Sequence, residues 1–277
     1  MAHPLTSVAR SSWRRQNSAH EAMAAGERVI PEETAVAFTY NGGSYAVMMA
    51  TPQDLEDFAL GFTLTEGIVG SREDIRALDA IETEIGIELR MWLSEPRAAA
   101  LNDRRRHMAG PTGCGLCGIE SLAEAMRPAP RVRDGQTVTP ADIMRGLEAL
   151  APHQQLNRQT RAVHAAAFWQ PGAGLIALRE DVGRHNALDK LGGALAREGL
   201  SAQHGVVLLT SRVSVEMVQK AAVIGVPVVV AVSAPTALAV RTAEVAGITL
   251  VAVARGDGFE VFTHSRRIAQ EISVYVP

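Results

Sequence analysis

Cysteine is almost absent from this chain of 277 residues: there are two, Cys114 and Cys117, set as a single Cys-x-x-Cys. A secreted disulfide framework needs more cysteines at longer spacings, so a reducing compartment, the cytoplasm, is the expected location. Aromatic residues make up only 4%, which argues against a stacking surface for single-stranded nucleic acid. Basic excess is missing too. The net charge of −3 argues against a globally basic nucleic-acid binder, and no nucleic-acid partner is expected. No run approaches the roughly 20 apolar residues that cross a bilayer. The longest, residues 221–232, is broken by Gly225 and Pro227, so no membrane partner is expected. The first residues carry Arg10, Arg14 and Arg15 without the apolar stretch of a secretory signal. Residues 1–26 are expected to be a disordered tail. Lysine is scarce as well: Lys190 and Lys220 are the only two among 27 basic residues. Each is a candidate for a place where a compact ammonium suits better than a planar guanidinium.

What the chain does have is apolar mass. At 47% hydrophobic and 21% charged it predicts a sizeable core. The length allows one large domain or two modest ones. Thr34–Tyr40 and residues 44–49 read as two strands around the hairpin signal Asn41-Gly42-Gly43. Thr51 and Pro52 predict the N-cap and first position of a helix that Gly67 stops. Residues 85–93 alternate apolar and polar, a further strand. Residues 27–108 are therefore expected to form a small α+β domain.

Residues 109–277 are expected to hold the Cys-x-x-Cys loop and a larger α/β domain. Four glycines and a proline in residues 110–118 exclude the interior of a helix or strand. Thr139 and Pro140 predict a helix start. From Val163 onward, strands alternate with helices of 10–15 residues, which implies a mainly parallel sheet covered on both faces. Hairpins at each end make the sheet mixed. The strand-to-helix loops should emerge at one edge, where open α/β sheets place their ligands.

Those loops carry the unusual residues. Glu180-Asp181-Val182-Gly183-Arg184-His185-Asn186 crowds charge around one helix start, followed by Asp189 and Lys190. A helix N-terminus with Arg184 and His185 suits a phosphate or another anion, and Asp181 could hold the imidazole or a sugar hydroxyl. The bland alternative is a capped surface helix with Asp189 and Lys190 in water. Ser211 and Arg212 add a hydroxyl and a cation at the same edge, and Arg255-Gly256-Asp257-Gly258 lies between the last two strands. The latter is either a hairpin turn or a loop that lets backbone meet a ligand closely.

The Cys-x-x-Cys admits several readings. A thiol at a helix start beside arginines is acidified, and its thiolate is the nucleophile of sulfur or redox chemistry. Half of a zinc site, a thioredoxin-type dithiol and two inert thiols are the others. Structural zinc normally needs a second pair, which is missing. A thioredoxin motif should follow the first strand of a βαβ unit, and this one precedes the α/β core. His164-Ala165-Ala166 invites a zinc-deaminase reading, but Ala166 stands where that chemistry needs its glutamate, and no metal ligand is assigned.

Taken together, these segments resemble the formate dehydrogenase accessory sulfurtransferase family, FdhD. The matching stretches are residues 112–118, 163–167, 180–191, 211–220, 233–240 and 249–264, in the family's order over roughly residues 31–268. The resemblance implies a cytidine-deaminase-like α/β core with a small N-terminal domain. It also implies a sulfur carrier that takes sulfane sulfur from a cysteine desulfurase and passes it to the molybdenum cofactor of formate dehydrogenase. That cofactor is bis-molybdopterin guanine dinucleotide, carried rather than kept, and a GDP-like nucleotide is expected to fit its site. The family's persulfide cysteine falls on Cys114, with Cys117 as a second thiol. Its cofactor-contacting loop falls on Val253, Ala254, Arg255, Gly256, Asp257 and Gly258. Asp181, Arg184, His185, Ser211 and Arg212 complete the expected binding edge, and a homodimer is the expected assembly. Two other classes stay open: a zinc hydrolase on a deaminase fold, and a cofactor-binding chaperone without sulfur chemistry.

Overall fold

In the computed structural model, which describes residues 3–12, 24–108 and 126–269, the chain begins with an antiparallel ribbon of β1 (Leu5–Ser12) and β2 (Ala24–Pro31). Leu5–Ser12 is thus strand, against the expectation of a disordered tail. Its backbone is satisfied by continuous pairing from Leu5 opposite Pro31 to Ser12 opposite Ala24. Its short polar side chains leave almost no apolar alternation to read.

A four-stranded sheet follows. β3 (Thr34–Tyr40) and β4 (Gly43–Ala50) form the predicted hairpin, with Asn41 and Gly42 both at positive φ. Helix α1 (Leu55–Thr65) comes next, then β5 (Ile75–Thr83) and β6 (Gly86–Leu93), in the sheet order β4-β3-β6-β5. α1 lies on the inner face, its Phe58 and Phe62 rings centred 5.0 and 4.1 Å from that of Phe38. Fully burying side chains of this size contributes roughly 1.5–3 kcal/mol each, so these rings anchor the unit. Helix α2 (Glu95–Met108) leads away from it.

The expected helix start at Thr51 is a correction. α1 begins at Leu55 because Thr51 is engaged elsewhere. Its N–H donates to Asp181 at 3.0 Å, and its hydroxyl accepts the Val182 N–H at 3.1 Å.

The larger unit opens with α3 (Pro140–His153), whose start is a reciprocal capping box between Thr139 and Asp142, and a short α4 (Gln155–Thr160). Then come β7 (His164–Gln170), β8 (Gly174–Asp181), α5 (Arg184–Arg197), β9 (Val206–Leu209), α6 (Val215–Ile224) and β10 (Val228–Ala231). α7 (Ala237–Ala246), β11 (Thr249–Arg255) and β12 (Gly258–Val261) complete it. The sheet order is β12-β11-β10-β9-β7-β8. β9, β10 and β11 are parallel and the outer pairings antiparallel, so the sheet is mixed as expected. Leu188, Leu191, Met217, Val218 and Ala243 of α5, α6 and α7 cover one face, and Ile143 and Leu150 of α3 cover the other.

α1 and α5 cross so closely that a Cβ on Gly61 would run into the Asp189 carbonyl, and one on Gly193 into that of Asp57. This backbone-to-backbone seam joins the small unit to the large one. Among the described residues, no helix is long and apolar enough to cross a membrane.

Candidate functional site

Because β8 is antiparallel to β7, and β7 to β9, the C-terminal ends of β8, β9, β10 and β11 open at one edge of the sheet. The loops expected to bind a ligand therefore do meet. The residues within them divide into those facing the edge and those drawn into the fold.

Asp181 is drawn in. Its carboxylate is fully buried, 2.7 Å from the equally buried Lys190 ammonium. It also accepts the Gly183 N–H at 2.7 Å, the Asn186 amide at 3.0 Å and the Thr51 N–H. Lys190 spends a further bond on the Thr51 carbonyl at 2.9 Å and lies over the Phe58 ring. Asp181 thus belongs to the lock between the two units. The expectation that it holds an imidazole or a sugar is corrected, because its oxygens are already taken. Asp189 is buried too, bonded to Thr65 at 2.6 Å and to Lys220 at 3.0 Å, so the solvated-helix alternative falls with it. Burial pushes the Asp189 carboxyl up, with Lys220 and Thr65 opposing. Burial works against the charge on Lys220, yet Asp189 and Glu66 more than offset it and hold its pKa above the usual value. Both lysines of the chain therefore sit inside closed ion pairs at the seam.

What faces the edge is a pair of helix starts. α5 begins at Gly183 and α6 at Ser214, and neither N-terminus has a side-chain cap, whereas α7 is capped by Thr236. The unpaired N–H groups and the helix dipoles give both starts partial positive charge, offset at α6 by the Glu216 carboxylate, which accepts its own backbone N–H in the first turn. Arg184 Nε and His185 Nε2 are buried there without a hydrogen-bond partner. Buried polar atoms are nearly always satisfied, so such a pair marks a place for a ligand or bound solvent. Ser211 is buried and its hydroxyl donates to the Arg212 carbonyl at 3.1 Å, while Arg212 itself is exposed.

Burial, helped by Arg184 and Lys220, pushes the His185 imidazole down to about 4, with Glu216 and Glu66 opposing. Burial and then Arg184 also lower His164, half-buried at the first position of β7. Both imidazoles are neutral at pH 7, so arginine and helix ends supply the positive potential of the edge. Acid should therefore cost stability. An unfolded His185 titrates near 6.5 and the folded one near 4, so in that window the unfolded chain binds the extra proton. The contribution is full above pH 6.5 and is lost as pH falls toward 4. His185→Gln should flatten this limb of a denaturation-midpoint profile, and an unchanged limb would show that the imidazole is not held neutral.

The loop after β11 is bent. Val253 has φ +53°, a left-handed conformation that is costly for a β-branched residue, and its N–H donates to the Ser233 carbonyl at 3.2 Å. The pairing with β12 shifts register between Ala252 and Arg255. The bend turns Ala254 into the core, where the whole residue is 1% exposed, so it offers a ligand almost no surface. Arg255, Gly256 and Asp257 project at the edge. Cys114 and Cys117 lie outside the described residues. The chain re-enters at Met126 and Arg127, beside Glu66 and Gln219.

Sequence reasoning missed the buried ion pairs, for which the rarity of lysine was the one available signal. It also missed Thr51 as a partner of the Asp181 loop.

A protein from Agrobacterium fabrum named sulfur carrier protein FdhD is 56% identical over 246 residues, covering 88% of this chain and 91% of the relative. One of the same name from Cupriavidus necator is 49% identical, covering 95% of this chain and 90% of its own. The crystal structure of a candidate formate dehydrogenase accessory protein from Desulfotalea psychrophila superposes with a TM-score of 0.73 at 26% identity, covering 95% of this chain and 99% of that one. The model of the FdhD/NarQ family matches residues 31–269, nearly all of the described fold and the whole sheet edge, and the chain belongs to that family.

Proposed function

We propose that this chain is a sulfur carrier for formate dehydrogenase, loaded as a persulfide on Cys114 and discharged to a molybdenum cofactor held at the sheet edge. In loading, the Cys114 thiolate attacks the outer sulfur of a cysteine desulfurase persulfide. A new S–S bond forms, the old one breaks, and the donor cysteine leaves as a thiolate. In delivery, the outer sulfur passes to molybdenum and the Cys114 thiolate is restored. The electron pair that brings the transferred sulfur to the sulfido level comes from the acceptor metal, which enters reduced and leaves oxidised by two electrons.

The observation that carries the binding half is the pair of uncapped helix starts at Gly183 and Ser214, with Arg184 and His185 unsatisfied between them. Such an arrangement favours a diphosphate, and bis-molybdopterin guanine dinucleotide presents diphosphates. Arg212 and Arg255, exposed at the same edge, can close on the outer oxygens. The names of the relatives support the sulfur-carrier half.

GDP serves as the probe. Calorimetry is expected to show binding that weakens at least about tenfold, or ~1.4 kcal/mol, when Arg184, Arg212 and Arg255 are all replaced by alanine. No binding at millimolar GDP, or unchanged affinity in the triple variant, would remove the edge as the cofactor site.

A further inference from the structure

We propose that His164 is a ligand contact of the anion edge, its imidazole flooring the cleft between the starts of α5 and α6 and donating to an anion oxygen there, an inference that rests on reading that edge as the cofactor site. In the sheet order, β7 lies between β8, which feeds α5, and β9, which feeds α6. It runs antiparallel to both, so its first residue, His164, arrives at the edge where they end. His164 stands opposite Asp181 in the β7–β8 ladder. Residues directly opposite in an antiparallel pair put their side chains on one face. For Asp181 that is the face under α5, because its carboxylate bonds Gly183, Asn186 and Lys190. Alternation along β7 gives the same answer. Ala166 and Phe168, two and four residues on, are buried with Leu188 and Leu191 of α5 and Met217 of α6. Toward β9, the Ala165 carbonyl accepts the Thr210 N–H at 3.1 Å and the Ala165 N–H donates to the Thr210 hydroxyl at 2.8 Å. This pairing holds His164 level with Ser211, where the chain departs for α6.

A neutral imidazole carries one donor nitrogen and one acceptor. Among the described residues, none hydrogen-bonds the His164 ring, although the side chain is half-buried. The charged groups that face it are Arg184, from α5, and Asp181, from β8. Asp181 is bound to Lys190, so Arg184 sets the character of the space around the ring. The buried, unsatisfied Arg184 Nε and His185 Nε2 lie in the first turn of that helix. Donors from β7 and from α5 thus border one cleft between two helix starts, an arrangement that suits an anion. Burial, then Arg184, holds the free imidazole below its usual pKa, with Asp181 opposing. A bound diphosphate would offset Arg184 and favour the imidazolium, so the ring in the complex has the higher pKa. Ligand and proton then bind together, and affinity should rise as pH falls through the interval between the two values.

GDP binding reads the contact. Affinity is measured at about pH 8 and about pH 6, on either side of the ordinary histidine value, for the parent, His164→Ala and His164→Gln. Urea unfolding checks that each variant folds. At the higher pH, His164→Ala should weaken binding about tenfold, the loss of one hydrogen bond to a charged group. His164→Gln keeps a donor and should lose about threefold or less. The GDP phosphate and His185 titrate in all three chains, so the ratio of parent to variant affinity isolates His164. That ratio should grow about fivefold at the lower pH. Unchanged affinity at the higher pH in a folded His164→Ala chain would overturn the contact. So would a ratio that does not change with pH, because a ring that only supports the fold takes up no proton with the ligand. If His164→Ala fails to fold, His164→Gln decides by the same ratio. A parent chain that binds no GDP at millimolar concentration would instead remove the edge as the cofactor site.

Discussion

Replacing Lys190 by alanine is expected to destabilise the protein by about 3–5 kcal/mol, the range for removing one partner of a fully buried ion pair. The ammonium is enclosed by Asp181 at 2.7 Å, the Thr51 carbonyl at 2.9 Å and the face of Phe58. Without it, the Asp181 carboxylate stays buried, and its bonds to Thr51, Gly183 and Asn186 cannot replace the lost charge. Those bonds also shape the start of α5, so the defect should reach the anion edge and weaken GDP binding. Lys190→Met combined with Asp181→Asn removes both charges at similar volume and should recover much of the loss. Lys190→Arg should not, because a planar guanidinium has no room in a closed site built around a point charge. Urea unfolding reads all three. A loss below about 1 kcal/mol in Lys190→Ala would mean that water reaches the pair and the seam is held by packing alone.

The α/β core was legible because its strands are buried on both sides. Val206–Leu209, Val228–Ala231 and Thr249–Arg255 read as near-continuous apolar runs, and glycines at the ends of α6 and α7 mark where the helices stop. The capping box at Thr139 was legible for a local reason: both partners lie within one turn. β5 was not legible, because as an edge strand it shows half-burial at every third residue instead of alternation. The run from Asp181 to Lys190 misled for a different reason. Local sequence gives charges but not their partners. Two of the partners here, Thr51 and Thr65, lie more than a hundred residues away, brought in by a glycine crossing that a sequence shows only as two glycines. The anion edge fell between these cases. Its Arg184 and His185 stood out at a helix start, but which neighbouring acid faced inward depended on the fold.

Cys114→Ala is expected to abolish persulfide loading while leaving GDP affinity within about twofold, and this separation bears most directly on the mechanism. The anion edge is built from the starts of α5 and α6 and the bend after β11, which are held by their own backbone bonds and by the buried ion pairs. The cysteine pair and the edge residues lie in separate stretches of the chain, so removing one thiol is expected to leave the edge intact. Formate dehydrogenase matured with this variant should contain its cofactor but lack the sulfido ligand. The converse variant, Arg255→Ala, should load persulfide at the parent rate and discharge it poorly, because the acceptor is no longer held for transfer. Intact mass of the carrier and sulfide content of the client separate the two defects, although both leave an inactive enzyme. Cys117→Ala should retain loading, since Cys114 is the residue proposed to carry the sulfur. If Cys114→Ala loses GDP binding as completely as it loses loading, the thiol is part of the binding site itself, and transfer between two separate sites is not how this protein works.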